Sequence, residues 1–182
     1  MKKTVIAILG KSGVGKTTAS LLFHEVNNDI QTLISLTTRK KRDDEEDFVD
    51  HYFGYSTYDF NNTNKEDIIA STVYGGYIYW TRYSDIKSDI FAYVIDEDGL
   101  NDLIKSDKFI IRTVLIVRDD LSNISKDRKD RDKNRSLPNI NSFDYIIRND
   151  GSKEELKEKI SNVASHIVSL EKTRQELLNK NY

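Results

Sequence analysis

Gly10-Lys11-Ser12-Gly13-Val14-Gly15-Lys16-Thr17 places two glycines, a lysine and a hydroxyl at the spacing G-x-x-x-x-G-K-[ST]. That spacing carries polyphosphate chemistry. Backbone N–H groups freed by the glycines point at an anion, and a helix N-terminus adds its partial positive charge. Lys16 is then placed to neutralise the outer phosphates of a nucleoside triphosphate, and the Thr17 hydroxyl to sit on Mg²⁺. A second set of cations follows in Ser35-Leu-Thr-Thr-Arg39-Lys-Lys-Arg42. Two arginines three apart at the end of a strand can clamp a phosphate bidentately. They can equally form a solvated basic turn against the acidic run Asp43–Asp47, and the residues alone leave both readings open. A third run, Lys126 to Arg135, holds Arg128, Arg131 and Arg135 and precedes the single proline, Pro138. It reads either as a solvated helix end or as a lid that swings arginines over phosphates.

These residues need elements to hold them. Thr4–Leu9 reads as a short buried strand, and 16–27 as a helix with Ala19, Leu22 and Phe23 on its apolar face. Further strands are expected over 31–36, 90–95, 110–117 and 143–147, and helices over 98–105, 119–129 and 152 to about 178. Continuous apolar strands such as Ile110–Val117 suit a parallel sheet covered on both faces. The alternation of strands and helices predicts an α/β doubly wound fold. Residues 37–88 break the pattern: they are rich in charge, Asn and Tyr, and alternate around 73–80 like a small antiparallel sheet. The long last helix is expected to pack through Ile160, Val163, Ile167 and Leu170.

The chain has 182 residues, enough for one domain with a buried core. Its net charge of −2 gives no basic footprint for nucleic acid, and no apolar run reaches membrane-spanning length. Cysteine is absent, which excludes disulfides and thiolate metal sites. The opening Met-Lys-Lys-Thr-Val-Ile-Ala-Ile-Leu is read as a strand rather than a signal peptide, because it runs straight into the glycine loop. A cytoplasmic setting is expected. His24, His51 and His166 are too dispersed for a metal set.

In order, the motifs resemble the guanylate kinase family. The family pattern is a phosphate loop, S-x-T-T-R-x-x-R, an acidic stretch with a D-Y-x-F-like turn, a Y-G-T turn, an I-L-D-I-D strand end and a terminal N-D. Here these stand as Gly10–Thr17, Ser35–Arg42, His51-Tyr52-Phe53, Tyr79-Trp80-Thr81, Tyr93-Val-Ile-Asp96 and Asn149-Asp150. The resemblance implies a P-loop NTPase-type core over 1–36 and 89–182, an inserted nucleoside-monophosphate-binding segment over 37–88, and a short lid over 126–138. It implies ATP with Mg²⁺ as donor and (d)GMP or a related monophosphate as acceptor, in a monomer or homodimer. Lys16, Arg39, Arg128, Arg131 and Arg135 would serve the transfer. Gly10 to Thr17 and Asn149 would bind ATP. Arg39, Arg42, Tyr52 and Tyr79 would grip the acceptor's phosphate, and Ser35, Ala70, Thr81 and Asp96 would face its base. Asp96 is also placed to order Mg²⁺-bound water.

Three departures from the family pattern matter. Its base-reading glutamate falls on Ala70, its glycine after the tyrosine falls on Trp80, expected to crowd the acceptor pocket, and the lid is short. Guanine remains the leading acceptor base. A phosphate-loop kinase for another or modified nucleotide, and a binding module of the same fold without catalysis, are the competing readings. The intact Gly15-Lys16-Thr17 argues against the second.

Overall fold

The computed structural model describes residues 2–120, 122, 132 and 138–180. Its centre is a five-stranded, wholly parallel sheet with the order β2-β6-β1-β7-β8. The strands are β1 (Lys3–Leu9), β2 (Ile30–Leu33), β6 (Ile90–Val94), β7 (Phe109–Val117) and β8 (Tyr145–Arg148). β1 is central, in parallel register with β6 through Thr4↔Ile90 and with β7 through Thr4↔Ile110.

Side chains alternate across β1 and feed two cores. Val5, Ala7 and Leu9 join Phe91, Tyr93, Leu103 and Phe109 on one face, where α3 (Glu97–Ser106) packs. Ile6 and Ile8 join Leu22, Phe23, Ile160 and Ile167 on the other, under α1 (Lys16–Val26) and α4 (Lys153–Lys180). Burial on both faces is what the unbroken apolar strands require, and the expected α/β doubly wound fold is the one observed.

α4 packs through Leu156, Ile160, Ala164, Ile167 and Glu171. The sequence placed Val163 and Leu170 in that stripe, but Val163 packs only partly and Leu170 is exposed. The stripe ends instead on a buried carboxylate: Glu171, 3% exposed, is bonded by Arg174 Nε at 2.7 Å and Arg112 Nη2 at 3.4 Å.

A second sheet covers one end of the first. Its order is β3-β5-β4, antiparallel throughout, with β3 (Leu36–Thr37), β4 (Ile68–Tyr74) and β5 (Tyr77–Arg82). The single strand expected over 31–36 is therefore two. β2 pairs with β6 up to Leu33, and the chain then leaves the main sheet so that Leu36 and Thr37 can pair with Trp80 and Tyr79. Ser35 lies at the crossing. The short helix α2 (Thr57–Asn62) is capped by a reciprocal Ser56–Asp59 box that sequence reading passed over. The candidate helix over 119–129 falls mostly outside the described residues.

Candidate active site

The carboxyl ends of β1, β2 and β6 open into a cleft of about 520 Å³, closed on its far side by the small sheet. In an open parallel sheet this end is where ligands bind.

The glycine loop leaves β1 at Gly10 and enters α1 at Gly15. Gly10 has φ 147°, and a Cβ there would stand 2.5 Å from the Ile116 carbonyl oxygen. Gly15 has φ 97° and caps α1 with no side-chain bond. Both positions therefore demand glycine, for conformation and for room. Val14 is buried beneath the loop, while Ser12, Gly13, Gly15, Lys16 and Thr17 face the cleft. Lys16 Nζ donates to the Lys11 carbonyl at 2.7 Å. Asp132, from the segment expected to act as a lid, accepts hydrogen bonds from Ser12 N at 2.6 Å and Ser12 Oγ at 3.1 Å. An anion thus already lies on a loop amide.

Asn149, expected to bind ATP, stands at the end of β8 beside the loop. Its side-chain amide donates to the Val14 carbonyl at 2.8 Å and braces the loop from the end of β8. Arg128, Arg131 and Arg135 lie outside the described residues.

Arg39 and Arg42 line the opposite wall. Of the acidic run they share one carboxylate, that of Glu45. Arg39 grips Glu45 with two bonds of 2.7 and 2.8 Å, and Arg42 adds Nη1 at 3.1 Å and its backbone N–H at 3.0 Å. Burial pushes the Glu45 carboxyl up, but these bonds and the two positive charges outweigh it and hold it at about 2. Arg39 is 7% exposed, donates through Nε to the Tyr79 hydroxyl at 2.9 Å, and lies over the Phe53 ring. The pair is fixed and bidentate, unlike a flexible surface ion pair.

The remaining expected residues divide. Ser35, Ala70, Tyr79 and Asp96 line the cleft with the arginines. Asp96 caps α3 by accepting from Gly99 N at 2.9 Å. Thr81 is fully buried and donates to the Tyr93 hydroxyl at 2.6 Å, so it braces the wall and is not among the lining residues. Tyr52 is also absent from the lining; its ring packs edge-on against Phe48 at 5.5 Å. His51 lines the cleft instead. Phe53 sets the register of the D-Y-x-F turn as Asp50-His51-Tyr52-Phe53, which puts His51 at the tyrosine position. That register was legible in the sequence and was masked by the adjacent tyrosine. Trp80, expected to crowd the pocket, points away from it: strand alternation sends Tyr79 to the cleft and Trp80 against the rings of Tyr55 and Phe60.

No group of three or more His, Cys, Asp or Glu able to hold a metal occurs among the described residues. Mg²⁺ bound with a polyphosphate needs only one or two protein oxygens besides the phosphates, and Thr17 and Asp96, both on the cleft, are oxygen donors of that kind.

A glycine loop between β1 and α1, at the carboxyl end of a parallel sheet, is the arrangement of a P-loop NTPase-type α/β fold. Comparison with known proteins narrows this. The family model for guanylate kinase matches residues 1–90. A guanylate kinase of Rickettsia prowazekii is 25% identical over 175 residues, covering 86% of this chain and 88% of that protein. One from Prochlorococcus marinus is 26% identical over 182 residues, covering 90% and 98%. The guanylate kinase of Enterococcus faecalis reaches 50% identity, over 50 residues and 24% of its length. In fold, the chain is similar to the crystal structure of guanylate kinase from Anaplasma phagocytophilum, with a TM-score of 0.62 at 18% identity over 91% of this chain and 86% of that one. Together these likenesses support placing the chain in the guanylate kinase family. No helix among the described residues is long and apolar enough to cross a membrane.

Proposed function

We propose that the protein transfers the γ-phosphoryl group of ATP to a nucleoside monophosphate, with GMP or dGMP as the leading acceptor. The observation that carries this reading is that the glycine loop and the Arg39–Arg42 pair face each other across one cleft. Phosphoryl transfer asks for in-line placement, neutralised charge and exclusion of water rather than covalent catalysis. The loop amides and Lys16 hold the donor. Arg39 and Arg42, set in place by Glu45, hold the acceptor's phosphate. Arg128, Arg131 and Arg135 are assigned to the charge developing in transfer. Thr17 would hold Mg²⁺ and Asp96 would order its water; the ion supplies charge neutralisation on the donor phosphates. The acceptor is already an anionic phosphate, so no general base is needed. Residues 37–88 are assigned to the acceptor nucleotide.

A second reading, a kinase for a different or modified base, is favoured by one residue. Ala70 is 2% exposed at the cleft wall and offers no carboxylate to the guanine N1–H and amino donors. The test is a panel of GMP, dGMP, AMP, dAMP, CMP and dTMP with ATP and Mg²⁺. Turnover of GMP or dGMP above the rest supports the first reading, and preference for another base the second. Binding of nucleotides without any transfer would overturn both in favour of a non-catalytic module.

A further inference from the structure

His51 lines the cleft beside Ser35, Arg39 and Tyr79. Its Nδ1 lies 2.9 Å from Ser35 Oγ, which fixes one edge of the ring and leaves Nε2 as its other polar atom. The ring is tilted on Tyr79 at 5.3 Å and meets Phe53 edge-on at 5.6 Å. Tyr79 also receives Arg39 Nε, and Phe53 lies under the Arg39 guanidinium. Imidazole and guanidinium therefore contact the same two aromatic side chains in one wall.

We propose that His51 is a proton-linked ligand of the acceptor's phosphate: a dianionic oxyanion seated among Arg39, Arg42 and His51 draws one proton onto the imidazole. The proposal rests on reading this wall as the acceptor-phosphate site and adds a pH dependence to it. The charged and titratable groups facing His51 are Arg39 beyond β3, Glu45 and Asp50 in the following loop, and the Tyr79 hydroxyl on β5. Burial and the Arg39 charge hold the imidazole down at about 4, against Glu45, Asp50 and the Ser35 contact. The ring is held neutral at pH 7 first by its burial and then by the Arg39 charge beside it. A dianion between them reverses the sign of that field and favours the imidazolium. The bound state then holds more protons than the free state. Affinity rises as pH falls through the bound-state value and levels off below about 4.

Sulfate is the probe, since it stays dianionic through the range while a phosphomonoester titrates. Binding to the full chain is measured by calorimetry at pH 7.5, 6 and 5, with MgADP filling the donor loop, and the His51 ring is followed by NMR. Sulfate is expected to bind at least about fivefold tighter at pH 5 than at pH 7.5, with proton uptake on binding and a raised His51 titration midpoint. His51→Gln should flatten the dependence, and Asp50→Asn should keep it. A dependence that persists in H51Q, or is lost in D50N, overturns the proposal. So does an unmoved His51 midpoint in the wild type, a readout that needs no variant to fold. Arg39→Ala separates the two claims. If R39A abolishes sulfate binding while the pH dependence survives in H51Q, only the role of His51 fails. If R39A still binds sulfate normally, the acceptor-site reading itself fails.

Discussion

The two walls of the cleft are built from different materials. The wall proposed for the donor is backbone: loop amides, two glycines whose geometry excludes other residues, and a helix N-terminus. The wall proposed for the acceptor is side chains: two arginines, a glutamate that fixes them, a tyrosine, a histidine, and an alanine where the base edge would be read. A backbone site tolerates little change, because Gly10 and Gly15 have no room for a Cβ. A side-chain site can exchange one residue at a time, as Ala70 and His51 illustrate. The donor wall thus keeps the chemistry common to a class, and the acceptor wall is where this chain differs from the family pattern.

The sharpest way to break that contrast is at Lys16, the one charged side chain of the donor motif that the spacing assigns to phosphate. Lys16→Ala is expected to lower the transfer rate by about tenfold to a hundredfold, as charge-assisted bonds are worth about 1.5–3 kcal/mol. Steady-state kinetics with ATP and the best acceptor of the panel would check it. Normal turnover would remove the glycine loop from the donor role.

Arg39→Ala should act on the opposite wall. The acceptor KM is expected to rise about tenfold or more while ATP binding stays nearly unchanged. Equal losses for both nucleotides would dissolve the division between the walls. Arg42→Ala should have the same sign and a smaller size, because the Arg42 side chain makes one bond to Glu45 where that of Arg39 makes two.

Ala70→Glu sharpens the comparison on the base side. Supplying a carboxylate is expected to raise selectivity for guanine over adenine by about tenfold. Unchanged ratios across the six monophosphates would mean another residue reads the base.

The smallest effect concerns stability. Glu45 is held at about 2 in the fold, below the ordinary carboxylate value. Its contribution is therefore complete above pH 5 and lost as pH falls toward 2. Glu45→Gln should lower the melting temperature at pH 7 and make its fall between pH 5 and pH 2 shallower. Parallel melting curves for both proteins would count against the ion pair.

Legibility in the sequence followed the same division. Gly10, Gly15, Lys16 and Thr17 could be read directly, because a backbone site is encoded by spacing over eight consecutive residues. The parallel sheet could be read too, from runs such as Ile110–Val117. The acceptor wall joins Ser35, Arg39, His51, Ala70, Tyr79 and Asp96 across five segments. Which of two neighbours faces inward there depends on strand phase. Tyr79 against Trp80 was settled by β-pairing with Thr37 and Leu36, far back in the chain, and the turn holding His51 and Tyr52 by bridges to Asp47 and Leu36. The Glu171 anchor was hidden for a similar reason: its partner Arg112 lies on β7, and an acid at the end of an apolar stripe reads locally as solvent-facing.

That anchor determines how far the last helix can be shortened. Arg174 reaches past Glu171 to donate to the Lys2 carbonyl at 3.2 Å, tying the helix to the chain entering β1. A stop codon after Leu170 would strip Arg112 of its buried counter-ion and untie the approach to the glycine loop's own strand. One placed after Arg174 would keep both, and the last two turns are then the stretch open to a fused tag or a label.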